Sequence, residues 1–142
     1  MSFEGETGPY IQYAVVRIRN IFRKGGTTPE AALAQFAELD AARGGVSEYL
    51  SGEADEDIWA LWLRAGRRTQ VLEQCLATSE PSYLAKHAFQ LAQEFNNFYH
   101  RHHILTEEDP ARKTFLLATA AVVLRELMIV LGWLGIESPE AM

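Results

Sequence analysis

The chain has 142 residues, 48% of them apolar and 23% charged, with a formal net charge of −6. That length suits one domain burying roughly two-thirds of the surface its unfolded form exposes, and that mixture excludes a disordered chain. The single cysteine, Cys75, excludes an intramolecular disulfide and any multi-cysteine metal site, while the acidic total argues against a nucleic-acid binder unless cations gather locally. They do gather: bases concentrate in 17–24, 64–68, 86–103 and 112–113, and acids in 48–57 and 107–109.

Gly8-Pro9 predicts the start of a first helix, because proline's missing N–H would be unpaired in the first turn anyway. It runs to about Lys24 and stops at Gly25-Gly26. Thr27 and Glu30 have capping-box spacing for a second helix, which runs to about Arg43. Residues 44–57 contain glycines and acids and are expected to form a loop, with one short turn over 46–50. The acids at 53–57 suit a helix start, and a third helix is expected over 55–78, with Ile58, Leu61, Trp62, Ala65, Leu72 and Leu76 as its apolar stripe. Ser79 and Pro81 open a fourth, over 81–102, whose period is carried by Leu84, Ala88, Leu91, Phe95 and Phe98. Asp109-Pro110 caps a fifth that reaches about Leu134, and 135–142 form a short tail. No segment alternates as a strand would, so the expected fold is all-α, a bundle of about five helices in one domain over 1–142.

The apolar run 115–134 has the length of a membrane span. Arg125 and Glu126 in its middle would be costly in lipid, so it is expected to be a buried core helix, with no membrane partner. Acidic Glu4 and Glu6 stand where a secretory signal would be basic, and a cytoplasmic protein is expected. Trp59, Trp62 and Trp133 each lie in an apolar stretch and are expected in the core. Cys75 is expected to be a small buried hydrophobe. His100 and His103 share a helix face, but no third ligand is placed, and no metal site is expected. The knot His100-Arg101-His102-His103 suits the negative end of a helix dipole or an RNA backbone. No catalytic triad, Walker loop or paired carboxylates are detectable.

Turned by about 100° per residue, the first helix places Ile11, Val15, Ile18 and Phe22 on one face, with Ala14 and Ile21 at its edge. Tyr10, Tyr13, Arg17, Asn20 and Lys24 gather on the opposite side, and Gln12, Arg19 and Arg23 form a third stripe. Two aromatic rings followed by cations suit single-stranded RNA, with bases stacked on tyrosine and phosphates held by Arg and Lys. The same pattern also fits tyrosines at the core margin and cations solvated above them.

The stretch Ser2-Phe3-Glu4-Gly5-Glu6-Thr7-Gly8-Pro9-Tyr10-Ile11-Gln12-Tyr13-Ala14 resembles the start of the C-terminal, DALR-type anticodon-binding domain of arginyl-tRNA synthetases. Tyr13-Ala14-Val15-Val16-Arg17-Ile18 keeps that family's arginine, at Arg17, and carries Val15 where a histidine is frequent. Leu91-Ala92-Gln93-Glu94-Phe95-Asn96-Asn97-Phe98-Tyr99-His100 resembles the family's helix ending in F-N-x-F-Y. The finish, Leu134-Gly135-Ile136 followed by Pro139, Glu140, Ala141 and Met142, resembles the family's ending. The match covers 2–24 and 81–142, and 25–78 only as generic helix and loop.

The resemblance implies the all-α bundle of the class I aminoacyl-tRNA synthetase anticodon-binding domains, docking on the anticodon stem-loop of arginine tRNA, with no DNA partner. It assigns Tyr10, Tyr13, Tyr99 and the terminal Met142 to the splayed anticodon bases. Arg17 is then the best phosphate contact, Gln12 and Asn20 are base-edge candidates, and Lys24, Arg101 and Lys113 weaker cations. Neither the family's ATP-binding catalytic domain nor its N-terminal domain is expected within these 142 residues. The chain alone is therefore expected to bind no cofactor and to charge no tRNA, and to pair with the catalytic domain of a parent synthetase, as a piece cut from a larger protein or a gene fragment. The alternative is a free-standing helical protein that partners a synthetase or a tRNA-modifying enzyme.

Overall fold

The computed structural model describes residues 7–43, 56–80 and 82–136. Among these residues six α-helices follow in chain order: α1 (Thr7–Gly25), α2 (Pro29–Arg43), α3 (Glu56–Ala65), α4 (Arg68–Thr78), α5 (Ser82–Arg101) and α6 (Pro110–Leu134). A single 3-10 turn, Ile104–Thr106, joins the last two, and no strand occurs among the described residues. The expected loop over 44–57, apart from its last residues in α3, lies outside the described residues, as does the end of the tail.

The apolar composition of α6 dictates its place. Too few of its side chains are polar to give it a solvent face, so the other helices wrap it: α2 most extensively, then α5, α1 and α3. By length and composition it would pass for a membrane span, yet most of that stretch is buried inside the bundle. The paired charges divide as helical geometry requires. Arg125 is exposed, while Glu126 is buried with its Oε2 3.0 Å from Arg68 Nη1 of α4, an ion pair without hydrogen-bond alignment. Burial pushes the Glu126 carboxyl above its ordinary range, and Arg68 and Arg125 pull against it. Arg68 also lies over the Trp133 ring, 5.7 Å from its centroid.

Helix ends follow the expected chemistry with one shift. Asp109 accepts from the Ala111 N–H at 3.2 Å with Pro110 behind it, so the α6 cap is as expected. At the head of α2 it is Thr28 whose hydroxyl accepts from Ala31 N–H, at 3.1 Å. The cap therefore falls one residue after the expected Thr27, directly before Pro29. Gly26 and Gly135 close α1 and α6 at φ 68° and 72°, the left-handed region that glycine enters at no steric cost.

Several expectations need correcting. The third predicted helix is two helices, broken at Gly66-Arg67, where Gly66 N–H bonds back to Trp62 and Arg67 N–H to Arg64. Ser79, expected to begin a helix, instead ends α4 at φ 57°. Of the three tryptophans, only Trp62 packs on the core: its ring stacks on Phe115 at 6.2 Å and its Nε1 donates to the buried Thr119 hydroxyl at 2.9 Å. Trp59 is 52% and Trp133 47% exposed. Leu76, at 73% exposed, likewise leaves the expected stripe. Cys75 is buried.

Candidate nucleic-acid interface

Ile11, Ala14, Val15, Ile18, Ile21 and Phe22 are all buried, which fixes the roll of α1 about its axis. The opposite stripe must then face outward, and it faces α5. Between the two helices lies a groove of about 520 Å³, lined by Tyr10, Tyr13, Ala14, Val16, Arg17, Asn20, Ile21 and Lys24 from α1 and by Asn96 and Tyr99 from α5. Its lining carries two cations and no carboxylate, on a chain whose net charge is −6.

Asn96 organises the groove. Its Oδ1 accepts from Arg17 Nη1 at 2.8 Å, and its Nδ2 donates to the Tyr10 hydroxyl at 2.7 Å. A guanidinium has no acceptor, so the amide can face Arg17 only through oxygen. The Arg17 guanidinium lies over the Tyr99 ring, 5.9 Å from its centroid, where the ring's negative face attracts it. Tyr99 is backed by Phe95, stacked at 6.2 Å, and Tyr10 by Phe89, tilted at 5.0 Å. Each ring is thus held by a buried or half-buried aromatic beneath it. Tyr13, in contrast, is 59% exposed and presents its ring to solvent. The Asn20 amide oxygen accepts from Arg23 Nη1 at 3.0 Å, which leaves its NH2 for other acceptors. The groove therefore offers an open ring for stacking, a guanidinium fixed in position and an exposed Lys24 at its end.

The family model described as the DALR anticodon binding domain matches residues 11–142. This chain belongs to that family. Three arginine–tRNA ligases show its relatives: the domain is 37% identical to that of Maricaulis maris over 99% of this chain, 36% to that of Phocaeicola vulgatus over 100%, and 38% to that of Streptococcus pneumoniae over 100%. It spans about a fifth of their length, between 21% and 22%. A solved structure described as an arginyl-tRNA synthetase from Campylobacter jejuni shares the fold, with a TM-score of 0.72 at 20% identity over 96% of this chain and 26% of that one.

Five of the nine site residues expected from sequence in this anticodon-binding domain, Tyr10, Tyr13, Arg17, Asn20 and Lys24, share the groove, and Tyr99 joins them from α5. Gln12 is half-buried on a different face of α1 and does not line it. The neighbouring Arg19 of that stripe turns toward α6, its Nη2 3.5 Å from Met128 Sδ. Arg101 is exposed at the end of α5, away from the groove lining. Met142 lies outside the described residues. His100 and His103 line a smaller pocket beside Tyr99, of about 280 Å³. Asn96 carried no expected role. The signal for it was present: it stands three residues before Tyr99, hence on the same face of α5.

Proposed function

We propose that this domain is the tRNA-binding part of an arginine–tRNA ligase and that the α1–α5 groove seats the anticodon loop of arginine tRNA. The observation that carries this reading is the Tyr10–Asn96–Arg17–Tyr99 constellation, an aromatic and cationic groove in a member of an anticodon-binding family. Sequence-specific RNA recognition works on unstacked loop bases held against aromatic rings; Tyr13 supplies an open ring, while Tyr99, covered by Phe95 and the Arg17 guanidinium, holds that cation in place. Arg17 and Lys24 supply the phosphate contacts. On this reading, charging with ATP belongs to the catalytic domain of the ligase, and the domain acts in the cytosol where that chemistry takes place.

The test is binding of the arginine anticodon stem-loop, measured by fluorescence anisotropy at low salt. Tyr13→Ala is expected to weaken it about five- to hundredfold, the worth of one base stack, and competitor loops with altered anticodons are expected to compete poorly. Equal competition by every anticodon sinks base reading, and unchanged binding by Tyr13→Ala sinks the platform.

One observation favours a second surface. Trp59 and Leu63, four residues apart on α3, are each 52% exposed. Such an apolar pair suits contact with protein rather than RNA, whether the remainder of a ligase or, in a free-standing protein, a synthetase or tRNA-modifying partner.

A further inference from the structure

The outer ridge of α5 carries Gln93, Asn96 and Asn97, spaced so that all three lie on one face. On one side of this ridge is the groove. On the other is a separate pocket of about 390 Å³, lined by Arg64, Gln90, Gln93, Glu94, Asn97 and the far side of Tyr10. Tyr10 is therefore a wall common to both spaces.

The second pocket differs in chemistry from the first. Arg64 Nε donates to Glu94 Oε1 at 2.6 Å, and Arg64 Nη1 donates to Gln90 Oε1 at 3.0 Å. Its cation is thus already matched by a carboxylate, and no net positive charge remains to hold a phosphate. What remains is amides. Gln90 keeps its NH2, and the carboxamides of Gln93 and Asn97 are exposed and make no side-chain hydrogen bond among the described residues. A carboxamide offers a donor and an acceptor side by side on one plane, the pattern that pairs with the edge of a nucleobase.

We infer that this pocket takes the base of the nucleotide adjacent to the one seated in the groove, read at its edge by Gln93 and Asn97, an inference that rests on the tRNA reading above. Two spaces divided by a single side chain suit consecutive nucleotides, because the strand passes from one to the other without looping out. The locked Arg64–Glu94–Gln90 floor holds the pocket's shape in advance of binding.

The experiment scans single abasic nucleotides along the stem-loop and measures anisotropy with the wild-type 142-residue chain, with the Gln93→Ala/Asn97→Ala double variant and with Tyr13→Ala. Both substituted amides are exposed, so the double variant is expected to melt as wild type does. Wild type is expected to lose affinity at two adjacent loop positions. The double variant is expected to bind the intact loop about five- to hundredfold more weakly and to become indifferent at one of those positions, while Tyr13→Ala becomes indifferent at the other. A single sensitive position in wild type, or a double variant that keeps both sensitivities, overturns the second pocket and leaves the tRNA reading standing. Absence of any RNA binding by wild type overturns both.

Discussion

Asn96 has one acceptor oxygen and two donors, and only one orientation of its amide serves both neighbours, with oxygen to Arg17 and nitrogen to the Tyr10 hydroxyl. Two substitutions separate its structural from its binding contribution. Asn96→Ala removes both bonds at a half-buried site and is expected to cost about 1 kcal/mol of stability, read as a lower urea midpoint, together with weaker RNA binding. Asn96→Asp is expected to keep the midpoint, because a carboxylate accepts from Arg17 more strongly than an amide does and the Tyr10 hydroxyl can rotate to donate to it. It nevertheless sets a negative charge in the groove. A unit charge near the surface is worth ~1 kcal/mol or more at contact distance, so RNA binding should fall about fivefold or more. Equal binding by Asn96→Asp and wild type would show that RNA does not approach this residue.

At the scale of elements, α5 meets the α3–α4 turn around His87. The imidazole is 4% exposed and its Nε2 has no hydrogen-bond partner among the described residues. Burial, then the charges of Arg64 and Arg67, hold its pKa down to about 4, against 6.5 when free. The sign follows from linkage. Between pH 6.5 and 4 the unfolded chain takes up this proton and the folded one does not, so stability is full above 6.5 and falls as pH drops through that window, by up to about tenfold in the folding constant per pH unit. The raised Glu126 carboxyl acts in the opposite direction, gaining its proton in the folded state first. His87→Leu should therefore flatten the decline of the melting midpoint between pH 6.5 and 4. An unaltered slope would mean that other groups carry it.

Much of this element structure was legible in the sequence. The core face of α1, the stripe of α5 from Leu84 to Phe98 and the Asp109-Pro110 cap all follow from period and local chemistry, and the structure agrees. The α3–α4 break was not legible, because the apolar stripe continues in phase on both sides of Gly66-Arg67 and a lone glycine in a helix is common. Trp59 was misplaced because its apolar surroundings were weighed without its angle: it stands one step, about 100°, from the fully buried Ile58. Trp133 stands two steps, about 200°, from the fully buried Leu131. The groove was half legible. Its α1 stripe needs only helical geometry, whereas the partnership of Arg17 with Asn96 joins residues 79 positions apart and depends on how α1 docks.

For the whole molecule, charge balance sets how RNA binding should respond to salt. With a net charge of −6 and two cations lining the groove, long-range attraction is weak and the contact is local. Each phosphate neutralised on a single strand contributes about −0.7 to the slope of log affinity against log salt, so a slope near −1.4 is expected. A slope steeper than about −4 would require a larger basic surface elsewhere. The wide separation of the groove's two halves has a further consequence, in time. The Tyr10–Asn96 hydrogen bond spans 86 positions. At a synthesis rate of about 5–20 residues per second, roughly 4–17 s pass between the making of the two residues. Through that interval the tyrosine stripe of α1 exists without the helix that completes it. A nascent chain stopped before α5 holds most of the groove's side chains but lacks Asn96 and Tyr99, so on the tRNA reading RNA binding is expected to appear only once α5 has been made.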